Sequence, residues 1–286
     1  MSRAFGLTAA ALTGVQVGLA MVATRALAGQ VAPFTLALLR YAVGVAVLTP
    51  FFLRLAPAPL LRADRWPVLG LGIVQFGVLI ALLNAGLHHV SAAQGSVLFA
   101  TFPILTILLG ALFGSERLSL MRLAGAGVSI AGIAICLGLG ELPASLTGTL
   151  MVLAAALSGA FCAVFYRPYL QRYPTLQVGT LAMMAAVLAL IPGALLESPL
   201  TALPALPLSA WGLVLFIGLS SGAGYLLWLS ALKHARASEA TILMGLSPVT
   251  AVLVGHALLD EPLTAGFAAG LALVLLGVSL AVLARR

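Results

Sequence analysis

Charge is what this chain lacks most. Of its 286 residues only 7% are Asp, Glu, Lys or Arg, against roughly 25% in a soluble domain. So few charges cannot cover a water-facing surface. With 62% hydrophobic residues and a mean hydropathy of +1.18, the chain reads as an integral membrane protein. Acids are scarcer still: seven, with four histidines, nearly all at the edges of apolar runs. A membrane-embedded enzyme would need a Ser/His pair, paired carboxylates or a metal cluster at one depth, and no such spacing is present. The two cysteines, Cys136 and Cys162, sit inside apolar runs as small packing residues and supply no disulfide framework. Long polar stretches are missing, which leaves no room for a soluble domain. The apolar/polar alternation of barrel strands is missing too, so the spans read as helices.

What is present is a series of apolar runs, each near the ~20 residues a helix needs to cross a bilayer. Ten follow in order: 4–24, 34–53, 67–87, 92–113, 120–140, 147–166, 175–195, 209–231, 237–258 and 265–284. Pro33, Pro67, Pro143, Pro174 and Pro207 fall at or near their starts, where a missing N–H costs least. The first run follows Arg3 and precedes Ala26-Leu27-Ala28, a pattern reminiscent of a secretory leader. It exceeds the usual ~7–15-residue apolar region, and it belongs to the repeat described next, so it reads as a retained first helix.

The chain repeats itself. Residues 87–119 match 232–264 at a constant offset of 145 without a gap. His89 falls on His234, Pro103 on Pro248, Gly110 on Gly255 and Glu116 on Glu261. The same offset places Trp66 on Trp211, Gly125 on Gly270, Gly132 on Gly277, and Ala10-Ala11-Leu12-Thr13-Gly14 on Ala155-Ala156-Leu157-Ser158-Gly159. The unit is far longer than a solenoid repeat. If the N terminus is cytoplasmic, Arg25 is the one basic residue outside, Arg40 lies within a span, and the other twelve of fourteen fall inside. The positive-inside rule therefore puts both termini in the cytoplasm, and this asymmetry accounts for the pI near 10.3 without a nucleic-acid partner. Five spans per half is an odd number, so equivalent spans cross in opposite directions. The expected fold is all-α integral membrane, with ten transmembrane helices as two inverted five-helix repeats, 1–140 and 147–286. Many secondary transporters are built this way.

The segment Ala37-Leu38-Leu39-Arg40-Tyr41 and the stretch from Ser91 to Ser119, with its copy, resemble the two EamA-type domains of the drug/metabolite transporter superfamily. The resemblance covers nearly the whole chain and implies that fold and membrane transport. The ten-helix layout is similar to bacterial amino-acid exporters, among them the aromatic amino-acid exporters of the YddG type. It departs from many relatives in reading Thr13-Gly14-Val15-Gln16 where they carry Trp-Gly. It also lacks the first-helix Glu of small multidrug-resistance relatives, which weighs against cation export and carboxylate-based proton coupling.

Candidate substrate-binding residues follow from cost: an ionisable or strongly polar group inside a span is expensive and needs a reason. Arg40 is the one formal charge inside a span, about 9 Å from its outer end at 1.5 Å per residue. It reads as an anchor for a carboxylate or phosphate, or as a structural Arg tied to carbonyls. Gln16, Gln75, Thr101, Ser220, Ser221 and Ser247 lie at midplane depth, and neutral donors from several helices suit a zwitterion or polyol. The alternative for each Ser or Thr is a bond back to its own helix. Ser221, Tyr225 and Trp228, spaced i, i+4, i+7, share one helix face and form either a wall of the substrate path or ordinary aromatic packing. Pro103 and Pro248, mid-span and repeat-related, free the carbonyls of Phe99 and Met244. They read as hinges or as fixed kinks. Glu116 and Glu261 are expected to meet the positive end of the next helix. The histidines share no metal-ligand spacing, and neither a metal nor a cofactor is expected. Gly125, Gly132, Gly270 and Gly277 suit close helix packing, either between the halves or in a dimer; monomer and homodimer stay open.

The sequence therefore points to a bacterial inner-membrane secondary transporter whose partners are the lipid bilayer and a small-molecule substrate, a neutral or zwitterionic metabolite such as an amino acid. The alternatives are a proton-coupled drug or cation exporter and, in another class, a membrane-embedded enzyme.

Overall fold

The computed structural model describes residues 3–55, 59–113, 120–137, 145–197, 203, 206–235, 240, 243–261 and 263–283. Among them there is no strand. Helix α1 spans Arg3–Ala26 and α2 Pro33–Arg54. Helix α3 (Arg62–Gly72) runs through a π-helical turn (Ile73–Val78) into α4 (Leu79–Leu87). Then come α5 (Ala92–Phe99), α6 (Phe102–Leu112), α7 (Leu120–Leu137) and α8 (Leu146–Arg172). The chain continues with α9 (Thr175–Leu196), α10 (Leu208–His234), α11 (Leu246–Leu259) and α12 (Ala265–Leu283). Seven stretches are long and apolar enough to cross a membrane, counting Arg62–Leu87 and Ala92–Leu112 as one each. Leu123–Cys136, Leu246–Leu259 and Ala265–Leu280 are shorter apolar helices. The chain is an all-helical integral membrane protein. Its outer surface bears it out: Leu112, Leu196 and Leu208 are between 75% and 88% exposed, which lipid tolerates and water does not.

The packing crosses the chain. Helix α1 lies against α10 and α11, while α8 lies against α4, α5 and α6. Helix α2 packs on α9 and α10, and α7 packs along α12. Glycines allow the last contact. A Cβ on Gly132 would lie 2.7 Å from the Gly270 carbonyl oxygen, and one on Gly277 would lie 2.5 Å from that of Gly125. Small residues draw helices together in this way. Ser129 Oγ donates to the Val274 carbonyl at 3.1 Å; those residues are themselves 145 apart. The four glycines thus join α7 to α12 within one chain.

Several expected boundaries shift. The third span starts at Arg62, so Pro67 lies inside α3 rather than at its start. The sixth run extends past residue 166 to Arg172, because Tyr166 and Leu170 still pack into the core; Arg167 is therefore helical rather than a loop residue. Pro33 opens α2, and Pro174 and Pro207 immediately precede their helices. Pro143, Glu116 and the starts expected at 237 and ends at 140 and 284 lie outside the described residues. The fourth span is interrupted at Ala100–Thr101, and Pro103 sits in the first turn of α6. Pro248 sits likewise in the first turn of α11, after the Met244–Gly245 turn. Proline at a helix start forfeits no bond, so breaks stand where kinks were expected. The Met244 carbonyl accepts from Ser247 N at 2.9 Å.

Acids close helix ends across the chain. Glu261 does not serve the next helix, α12. Its carboxylate accepts from Ala92 N (2.8 Å) and Ala93 N (3.1 Å) at the start of α5, beside the Ser91/Gln94 capping box. Glu197 accepts from Phe34 N (3.0 Å), Thr35 N (2.7 Å) and Thr35 Oγ1 (2.9 Å) at the start of α2. Arg25 donates to the Leu87 carbonyl at 2.8 Å, at the end of α4. Each charge meets the complementary end of a helix dipole. At the start of α3, Asp64 accepts from Arg172 Nη1 (3.0 Å) and from the Tyr173 hydroxyl (2.7 Å). That bond pushes the Tyr173 phenol above its ordinary value.

Candidate functional site

A cavity of about 80 Å³ lies in the middle of the bundle, walled by α1, α2, the π-helical turn, α4, α5, α6, α8, α10 and Met244. Arg40 is its charged member. The residue is 7% exposed, its Nε donates to Ser221 Oγ at 2.5 Å, and its Cζ lies 5.7 Å from the Tyr41 ring centroid. Among the described residues it makes no ion pair, and no acid lines the cavity. Ser221 Oγ donates to the Ile217 carbonyl at 2.6 Å, which leaves its lone pairs to Arg40 and fixes the guanidinium against α10. The terminal guanidinium nitrogens keep their donors. A buried cation without a counter-ion is costly, and a fork of N–H donors suits a planar carboxylate.

Gln16 projects from α1 and donates through Nε2 to Ser220 Oγ at 3.3 Å. Gly224 makes room for it: a Cβ there would lie 2.5 Å from Gln16 Oε1. Gln75 lines the cavity from the π-helical turn. Tyr225 and Trp228 line it from α10, so the i, i+4, i+7 face carrying Ser221 does look inward. Trp228 stands 5.8 Å from the Phe102 ring, which stacks on Phe99 at 5.7 Å.

Of the sequence-predicted residues, Gln16, Arg40, Gln75, Ser221, Tyr225 and Trp228 meet at this cavity. Thr101 and Ser247 do not line it. Thr101 Oγ1 donates to the Leu98 carbonyl at 2.8 Å, at the helix break. Ser247 lies with Pro103 and Pro248 around a separate space of about 10 Å³, enough for roughly one water. The sequence reading missed Thr13, Tyr41, Phe76, Phe102 and Met244, all on the cavity wall. Tyr41 and Phe76 directly follow Arg40 and Gln75, but successive helical side chains do not share a face, so adjacency alone gave no signal. His88 and His89 are chain neighbours, while the other two stay apart from them: His234 Nδ1 meets the Ser230 carbonyl and His256 Nδ1 that of Glu261. No metal-binding cluster occurs among the described residues.

A bundle of membrane-spanning helices around a central cavity, with a guanidinium that meets no acid among the described residues, has the build of a membrane carrier. The sequence pattern of the EamA-like transporter family matches residues 4–138 and 146–283; the chain belongs to this family of transporters. It is 28% identical to an uncharacterized transporter of Archaeoglobus fulgidus, over 95% of this chain and 96% of that one. It is 31% identical to a probable terminal-alkyne amino-acid exporter of Streptantibioticus cattleyicolor, over 70% of this chain and 67% of that one. An uncharacterized inner membrane transporter of Escherichia coli is 28% identical over 81% of this chain and 76% of its own. One solved crystal structure superposes with a TM-score of 0.70 at 24% identity, covering 98% of both chains, a likeness of fold.

Proposed function

We propose that this protein is a secondary transporter that exports small neutral or zwitterionic metabolites, amino acids first among them, from the cytoplasm across a bacterial inner membrane. The carrying observation is Arg40, a buried cation with no acid partner among the described residues, on the wall of a central cavity. It would hold the substrate carboxylate, with Gln16, Gln75 and the Tyr225–Trp228 face around the rest of the molecule. The amino-acid exporter among the relatives favours the same substrate class. The Escherichia coli relative favours the same membrane.

The mechanism is alternating access between two inverted five-helix halves, 1–140 and 147–286, with both termini cytoplasmic. Seven long and three shorter apolar helices support ten crossings. The two family matches support the division. So does the pairing of Gly132 with Gly270 and of Gly277 with Gly125, because a shift of 145 exchanges one pair for the other. Pro103 and Pro248, each just after a helix break, are the hinges. No carboxylate lines the cavity among the described residues, which favours facilitated transport down the export gradient over proton coupling. A proton-coupled cation exporter would instead place an acid where Arg40 stands.

Counterflow in proteoliposomes tests this. Vesicles preloaded with an unlabelled amino acid should take up the labelled one, with or without a pH gradient. Proton-driven movement of a quaternary ammonium dye, with no amino-acid exchange, would refute it.

A further inference from the structure

We propose that Phe76 sets the size of the substrate, restricting it to α-amino acids with short side chains. The inference rests on the carrier reading above and specifies which molecules the cavity takes. The cavity measures about 80 Å³, whereas a dry protein cavity of about 150 Å³ is what accommodates benzene. Alanine already has as many non-hydrogen atoms as benzene, so every amino acid must widen this space on binding, and the widening needed is greatest for an aromatic side chain.

Phe76 is the side chain that takes up the missing room. It is 1% exposed and wedged edge-on between two tyrosines, with ring centroids 4.8 Å from Tyr41 and 4.2 Å from Tyr225. Tyr225 is backed in turn by Tyr166 at 6.5 Å. Edge-to-face pairs of this kind add to the burial energy of the rings, so Phe76 is braced from both sides. The backbone carrying it is the π-helical turn Ile73–Val78, an interruption of an otherwise α-helical span of the sort that re-aims a side chain. Tyr41 also adjoins Arg40, whose Cζ lies 5.7 Å from that ring. A side chain leading away from a carboxylate on Arg40 therefore runs toward the Tyr41–Phe76–Tyr225 stack, and its length is limited there.

The test is counterflow of a labelled series, alanine, valine, phenylalanine and tryptophan, in proteoliposomes carrying the wild-type chain, Phe76→Leu or Phe76→Ala. The wild type should exchange alanine and valine at least about tenfold faster than the aromatic pair, since one methylene in a tight pocket already discriminates roughly 10–200-fold. Phe76→Ala should raise phenylalanine exchange relative to alanine at least about tenfold, with Phe76→Leu in between. Wild-type exchange of phenylalanine as fast as alanine would overturn the inference, and that arm requires no variant to fold. An unchanged ratio in a monodisperse Phe76→Ala would overturn it as well. If the wild type exchanges no amino acid, the carrier reading fails first; exchange without size selectivity leaves that reading intact and defeats this one.

Discussion

Removing the Glu261 carboxylate should cost the fold a defined amount. Glu261 supplies the two acceptors for Ala92 N and Ala93 N, at 2.8 and 3.1 Å, and it comes from the far end of α11. Hydrogen bonds to a charged group contribute about 1.5–3 kcal/mol each, which would set a ceiling near 3–6 kcal/mol for the pair. Ala92 and Ala93 are buried, but Glu261 itself is only half-buried, so water can enter where its carboxylate stood, and the Ser91/Gln94 capping box survives the change. The freed amides can therefore rehydrate, and the cost should fall toward that of a lost N-cap, about 0.5–2 kcal/mol, plus about 0.3–1 kcal/mol for the lost charge at a helix N terminus. Glu261→Ala is thus expected to destabilise by about 2 kcal/mol. At roughly 2–4 °C per kcal/mol for chains of 150–250 residues, the melting temperature in detergent should drop by roughly 4–8 °C at a fixed scan rate. Glu261→Gln retains one acceptor oxygen and should lose about half as much. If both variants melt within about a degree of the wild type, the carboxylate does not hold α5 to α11 and the reasoning is wrong.

Gly277→Val should split α7 from α12, because even its Cβ would lie 2.5 Å from the Gly125 carbonyl oxygen and from Ser129 Oγ. Overpacking of this kind costs about 1–3 kcal/mol, and a melting curve or elution profile matching the wild type would contradict the close packing. Acidification should weaken the fold through His88, whose imidazole is held below its ordinary value by burial first, then by the charges of His89 and Arg25. The unfolded chain takes up this proton near pH 6.5 and the folded one only at lower pH. Stability should therefore be complete above about pH 6.5 and fall as the pH drops below it. Melts between pH 7.5 and 5.5 should show a slope that shrinks in His88→Gln; an unchanged slope would assign it to another group.

The spans and the cavity's polar members could be read directly, because a polar side chain in an apolar run has few reasons to be there. Arg40, Gln16 and Ser221 stood out on that ground, and the i, i+4, i+7 spacing aligned Tyr225 and Trp228 with Ser221. Phe76 was invisible: one apolar residue among many, brought to the cavity beside Gln75 by a π-helical turn that no local propensity announces. Thr101 and Ser247 had the right depth, but a helix break and a neighbouring small space absorb them. Glu261 was recognised as a helix-end acid, yet its partner lies 168–169 residues away, a separation that only the tertiary fold closes. Helix ends such as Arg62 and Arg172 depend on packing beyond the apolar run, so hydropathy places them poorly.

The central claim is that Arg40 binds a substrate carboxylate, and counterflow with Arg40→Gln tests it most directly. The exchange of valine and of valinamide, which lacks the carboxylate, is measured for both proteins. A hydrogen bond to a charged group, at about 1.5–3 kcal/mol, corresponds to roughly a tenfold to hundredfold change in affinity. The wild type should exchange valine and not valinamide, and Arg40→Gln, eluting as a monodisperse peak, should lose valine exchange by at least about tenfold. Equal exchange of valine and valinamide by the wild type, or full valine exchange by Arg40→Gln, would contradict the account.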